Sequence, residues 1–360
     1  MMKKIIALGL IMLFAGVLLF AIEIDIEVPT IGGSSTYGYL DFDLALGQFK
    51  TEANDILSKV DSMNNLVKAM SNATSFAADG ATTRNFFEYK MFAVAIGTMG
   101  ALQSSSFNIS DTADKVENSE DIYFGINAQA ITVSAGINLG LLVDGLYVTG
   151  KIGSFSYSIQ DFDISMFSCG LLAQYQLIES KKALLASWKG VQVGTGFIYY
   201  SSDISFNTNT SVSTRVDLQD LGGGLGNQSA TLAYDPKLDT KFETKGIKIP
   251  IDVMTGVRIA ILDLSFGLGV DINVWSNSDL TYKAEGPTYF TDIPSGLESN
   301  PGHVNVKGGT TGKSADFLKF KTMAGVGVSL GPVKLDIPVT YYFGTDGPGA
   351  NVGVTVGLVK

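Results

Sequence analysis

Between about residue 88 and the C-terminus, apolar side chains recur at every second position. Over 247–259, Ile247, Ile249, Ile251, Val253, Val257 and Ile259 share one parity, opposed by Lys248, Asp252, Gly256 and Arg258. Over 264–275, Leu264, Phe266, Leu268, Val270, Ile272 and Val274 oppose Ser265, Gly267, Gly269, Asp271 and Asn273. Val333, Leu335, Ile337, Val339 and Tyr341 oppose Lys334, Asp336, Pro338 and Thr340, and the alternation returns at 121–130, 146–153, 189–199, 324–330 and 352–358. Successive strand side chains point to opposite faces. The pattern therefore predicts strands with one apolar face and one small or polar face.

Tight reversals are expected at Asp144-Gly145 and Gly331-Pro332, and near Leu262-Asp263, where apolar parity flips between Ile261 and Leu264. Long polar segments fill 104–120, 203–244 and 276–315. Traced up and down, the tight turns all fall at one end and the long segments at the other. That asymmetry is the plan of a transmembrane barrel with short periplasmic turns and long external loops. The trace uses ten strands, and 203–244 has room for one or two further hairpins. The expected fold is mainly β, an antiparallel transmembrane β-barrel of ten to fourteen strands over 88–360. A soluble two-sheet sandwich is the alternative, but it would show more charge on its polar face.

A different period precedes the strands. Phe42, Leu46, Phe49, Ala53, Ile56, Val60, Met63, Val67 and Met70 recur four and three apart, which predicts one amphipathic helix over 41–71. A small-residue linker is expected from Asn72 to Thr83. The segment 22–87 is read as a plug in the barrel or a periplasmic segment, with the candidate stripe Phe42, Leu46, Phe49, Ile56, Val60, Met63, Val67 and Met70. The spacing also permits a coiled coil, and with it a homo-oligomer. Width bears on the choice. A helix with side chains is about 10–12 Å across, and eight-stranded barrels are already filled by side chains. A ten-stranded barrel is therefore expected to exclude the helix, and one near fourteen strands to admit part of it at the periplasmic mouth.

The N-terminus sets the compartment. Lys3 and Lys4 precede an apolar run from Ile5 to Phe20, and Ala21 offers a small residue for cleavage, so residues 1–21 read as a secretory signal peptide. No apolar stretch of spanning length follows, yet 46% of residues are hydrophobic and 41 are Gly. An apolar exterior facing lipid accommodates both facts. The expected location is the bacterial outer membrane, with its lipid as a partner. The single Cys169 rules out an internal disulfide and reads as a packed thiol. A net charge of −10 opposes nucleic-acid binding, and three Arg are too few for an evident anion-selective constriction.

Little in the chain suggests catalysis. Gly308-Gly309-Thr310-Thr311-Gly312-Lys313-Ser314 lacks the spacing of a phosphate-binding loop and reads as an ordinary loop. His303 is the sole His. No enzyme activity, cofactor or metal site is expected. The remaining candidates line the predicted lumen: Asn127, Gln129, Lys151, Gln192, Asp252, Arg258, Asp271 and Asn273.

The order of parts, signal, then helical segment, then barrel to the C-terminus, resembles outer-membrane barrels of porin and long-chain fatty-acid-transporter type. Where those transporters carry Asn-Pro-Ala in the plug region, this chain reads Asn72-Ala73-Thr74, and it ends Leu358-Val359-Lys360 without a terminal aromatic. The resemblance implies a channel or transporter for small solutes, hydrophobic ones among them. The alternative is a structural outer-membrane protein or surface adhesin that acts through long external loops.

Overall fold

The computed structural model describes residues 23–27, 30–31, 60–80, 82, 86, 89–104, 124–183, 186–209, 211–218, 228–293, 299–344 and 347–360. Its first elements are β1 (Glu23–Glu27), β2 (Thr30–Ile31), α1 (Val60–Ala77), β3 (Phe92–Ser104), β4 (Phe124–Asn138) and β5 (Leu146–Ile159). Then come β6 (Phe162–Ile178), β7 (Lys181–Lys182), β8 (Ala186–Asn209), β9 (Val212–Leu218), β10 (Gln228–Tyr234) and β11 (Lys237–Ile259). The last are β12 (Leu262–Thr291), β13 (Ser299–Asn300), β14 (Gly302–Lys313), β15 (Leu318–Leu330), β16 (Val333–Phe343) and β17 (Gly349–Val359).

Ten strands close a ring in the order β3, β4, β5, β6, β8, β11, β12, β15, β16, β17, with β17 pairing back onto β3. Every pairing around it is antiparallel. This is the expected barrel at the lower end of the expected strand number. The reversal expected at Leu262-Asp263 falls instead at Ala260-Ile261, and Ala260 takes a positive φ of 55°.

The alternation read from the sequence becomes an outside and an inside. Phe266 and Leu268 are 54% and 64% exposed, whereas Asp271 and Asn273 between the same strands' neighbours are buried. On β11 the outward residues run Val257, Val253, Ile251, Ile249, Ile247, then change abruptly to Lys245, Glu243 and Lys241. On β12 the change comes after Trp275. Tyr199 and Phe167 lie at the same level, their rings 6.3 Å apart. An apolar band of this height, edged by aromatics, fits the hydrocarbon core and its interface. The protein is an outer-membrane β-barrel. Cys169 shares the outward parity of Leu171 and is half-buried, so its thiol belongs to the lipid-facing wall and not to a core.

Above the band several strands continue. Most of what reads as long external loops is strand: β12 runs on to Thr291, and the glycine-rich stretch 308–313 belongs to β14. β9 and β10 pair within the segment 203–244, outside the ring. β14 pairs with the outer part of β12, and β1 pairs with β14.

The helix departs from expectation in three ways. Its described span is Val60–Ala77, so Asn72–Ala77 is helix and not linker. Phe42, Leu46, Phe49 and Ile56 lie outside the described residues. The helix also lies inside the ten-stranded ring, which the width argument had excluded. Small side chains explain the fit. Ala69, Ser71, Ala73, Thr74, Ser75 and Ala77 give α1 a narrow surface, and all are buried. The wall is equally lean where they meet. A Cβ at Gly125 would collide with the Ala69 carbonyl, and one at Gly349 with the Phe76 ring.

Candidate functional site

The helix enters the lumen from the end bearing the extended strands. Val67 and Met70 pack there with Ile204, Phe242, Leu280, Tyr282 and Val306. Its C-terminal end reaches mid-barrel, and Phe86 and Tyr89 lie near the start of β3 at the opposite rim. The helix thus fills the middle and outer lumen, not the periplasmic mouth. Of the expected stripe, Val67 and Met70 make apolar contact, while Val60 and Met63 fall in its first turn.

Beside this apolar packing, and the stacking of Phe76 on Tyr342, the helix makes a series of polar contacts with the wall. Ser71 shares a hydrogen bond with Thr244 at 3.4 Å, Asn127 donates to Thr74 Oγ1 at 2.7 Å, and Ser75 donates to Asn273 Oδ1 at 3.0 Å. The last turn ends in three wall-mounted ammonium contacts. Lys248 Nζ donates to the Ser75 carbonyl at 2.5 Å, and Lys151 Nζ donates to the carbonyls of Ala78 and Asp79. A helix C-terminus leaves carbonyls unpaired and carries partial negative charge, so cations there satisfy both demands. Gly80 turns the chain out of the helix at a φ of +52°.

Two carboxylates clasp the helix to the wall. Asp79, two residues beyond α1, sits 2.8 Å from Lys248 Nζ and accepts from Tyr342 Oη at 2.6 Å. Lys248 continues to Asp271 at 3.1 Å, and Lys321 joins Asp271 at 2.6 Å and Asp252 at 2.9 Å. At the outer end Asp316 pairs with Lys68 of the helix at 2.7 Å and with Lys319, and it accepts from Asn72 Nδ2 at 3.0 Å. The lysines carry long stems across a narrow lumen, which lets opposite walls meet one helix.

The lumen candidates from the sequence are all inward. Asn127, Lys151, Asp252, Asp271 and Asn273 gather at or beside the helix. Gln129 accepts from Ser168 at 2.9 Å and Gln192 donates to Gln176 at 2.7 Å, both wall to wall. Arg258 stands apart near the short-turn rim, paired with Asp263 at 2.7 Å. Sequence reading did not single out Asp79, Asp316, Lys248, Lys319, Lys321 or Tyr342. For three of them a signal existed: Lys248 lies between Ile247 and Ile249, and Lys319 and Lys321 flank Phe320 in strict alternation.

Beneath Asp79 a cavity of about 20 Å³ is lined by Thr82, Met99, Met254, Ser265 and Met323, among others. Outside, on the extended sheet, a polar groove of about 630 Å³ is lined by Asp203, Asp239, Lys241, Lys283 and Lys307 with neighbouring Ser, Thr and Asn.

Three solved structures are similar to this chain. The translocator domain of the autotransporter NalP from Neisseria meningitidis is 11% identical, with 77% of this chain and 91% of that one covered, at a TM-score of 0.30. The Ralstonia pickettii toluene transporter TbuX is 9% identical, with 81% and 96% covered, at 0.26. The outer-membrane phospholipase A of Escherichia coli is 12% identical, with 79% and 98% covered, at 0.24. No curated protein matches. The Lsa36-like family model matches residues 30–358, so the chain belongs to the Lsa36-like family.

Proposed function

We propose that this protein is an outer-membrane channel for small solutes, closed here by α1 and opened by displacement of that helix. The observation that carries the reading is the polar interface between helix and wall. A helix serving only as filler gains most from apolar contact, and replacing buried ion pairs by packed apolar groups is often neutral or stabilising. Ser71, Asn72, Ser75 and Asp79 instead present groups whose partners water can replace when the helix shifts. The charged mid-lumen favours polar over hydrophobic solutes, because Lys248, Lys321, Asp252 and Asp271 would line the opened path. No step of this reading is catalytic.

Single-channel recording of refolded protein in a planar bilayer tests it. The intact chain should show rare, brief openings, and a variant lacking residues 41–83 a steady conductance. A deletion variant that folds, as judged by its heat-dependent gel mobility, yet stays silent would refute the channel.

A second reading has its own support. A strand needs about 9–11 residues to cross a membrane, whereas β8, β11 and β12 run 24, 23 and 30 residues. Much of each stands outside the bilayer and offers a surface for a macromolecular partner. A silent deletion variant would favour this role.

A further inference from the structure

The two described ends of this chain fall on opposite sides of the barrel. β17 ends at Val359 beside Phe92, the first residue of β3, at the rim that carries the Gly331-Pro332 and Ala260-Ile261 turns. β1 pairs with β14, Ile24 opposite Val306 and Asp25 opposite Asn305. β14 in turn pairs with β12 only from Ser278 outward, above the level of Trp275 where the apolar band ends. β2 pairs with β13 at the same end. Between these strands and β3, the chain passes through the lumen as α1, its N-terminal half among Phe242 and Leu280 and its last turn at mid-barrel. Ten wall strands return the chain to its starting side. A lumen crossing added to them separates the two ends.

We infer that β1 and β2 are displayed on the cell surface while the C-terminal strand ends in the periplasm, with α1 as the tether that carries the chain through its own barrel. The orientation follows from the short turns, which face the periplasm in outer-membrane barrels. This inference goes beyond the channel reading and does not depend on it, since a displayed segment needs no solute flux. It also limits how the helix can move. α1 is anchored outside through β1 and inside through β3, so it can tilt or slide between those anchors but cannot leave the lumen without breaking one. The display function is a strand-anchored surface segment, and the β1–β14 pairing holds it against the outer sheet.

The test uses full-length protein with Cys169→Ser and a membrane-impermeant maleimide on intact cells. Single cysteines are placed by Asp25→Cys, by Pro301→Cys as an outer control, and by Asp144→Cys in the opposite turn. Asp25→Cys and Pro301→Cys should label in intact cells, and Asp144→Cys only after the outer membrane is permeabilised. A second variant, Asp25→Cys with Asn305→Cys, should form a disulfide within the chain, because these residues are register partners. Labelling of Asp25→Cys only after permeabilisation, without that cross-link, overturns the inference. So does labelling of Asp144→Cys in intact cells, which would invert the barrel. Neither result bears on conductance, so failure here and failure of the channel are separately visible.

Discussion

Lys248 on the barrel wall lies 2.8 Å from Asp79, a residue that follows the lumen helix by two positions, and both side chains are almost fully buried. The same ammonium reaches Asp271 at 3.1 Å and the Ser75 carbonyl at 2.5 Å. One wall side chain therefore holds the helix end by charge and by hydrogen bond together. Removing one partner of a buried ion pair leaves the other uncompensated, which costs several kcal/mol.

Asp79→Asn should accordingly lower stability by about 3 kcal/mol, the smaller end of the range for breaking a buried pair, because Asp271 still faces Lys248. Urea unfolding in detergent micelles would show a lower midpoint at unchanged slope. An unchanged midpoint would mean that the clasp does not hold the helix.

The lipid-facing parity makes a depth-dependent prediction. Leu268→Arg, near the middle of the band, should cost roughly 2–4 kcal/mol, whereas Leu264→Arg at the short-turn rim should cost about 0–1. Gly269→Arg should also destabilise, but by collision with Asp252 and Lys321 inside the lumen. Equilibrium folding into vesicles separates the two causes. Thinning the bilayer should relieve Leu268→Arg and leave Gly269→Arg unchanged.

Glycines of the inner wall decide whether the helix fits. Gly125→Leu would place a branched side chain where the Ala69 carbonyl now sits. The barrel should still fold, while conductance and uptake of bulky antibiotics rise above wild type. Gly150→Leu, on the lipid-facing side of β5 where a Cβ meets nothing within 4 Å, is the control. Equal leakage from both variants would argue that wall strain, and not helix displacement, opens the path.

The membrane-spanning wall is legible in the sequence because lipid imposes a strict alternation. Leu268 and Asp271 follow it without exception. Above the band that constraint ends. Outward positions become Lys241, Glu243 and Lys283, and strands over 276–313 take on the polarity of loops. The helix is legible in kind but not in extent. Its C-terminal part, Ala73-Thr74-Ser75, is buried on every side, so size and not polarity selects its residues, and no amphipathic stripe marks it. Strand number set too small a lumen in expectation, since Gly125 and Gly349 widen it where α1 packs.

Outside the membrane, the extended sheet should loosen in acid. Hydrogen bonds from Ser211 and Tyr289 hold the Asp235 carboxyl below its ordinary value of 3.8, and the Lys241 ammonium, first by hydrogen bond, holds Glu243 below 4.5. Glu285 is lowered likewise, chiefly by Lys283. A carboxyl whose pKa is depressed in the folded state contributes stability that is complete above its unfolded value. That contribution is lost as pH falls through the depressed folded value. The window therefore opens below about pH 4.5 and deepens downward. These groups are exposed, so each contributes little, but Asp235 caps β10, and Glu243 and Glu285 sit on β11 and β12 beside it. Amide protection in 228–245 and 278–291, taken relative to the intrinsic exchange rate at each pH, should fall between pH 5 and about 3 while the ring strands 318–343 stay protected. Protection that is unchanged down to pH 3, or that falls equally in both regions, would mean that these carboxylates do not fasten the outer sheet.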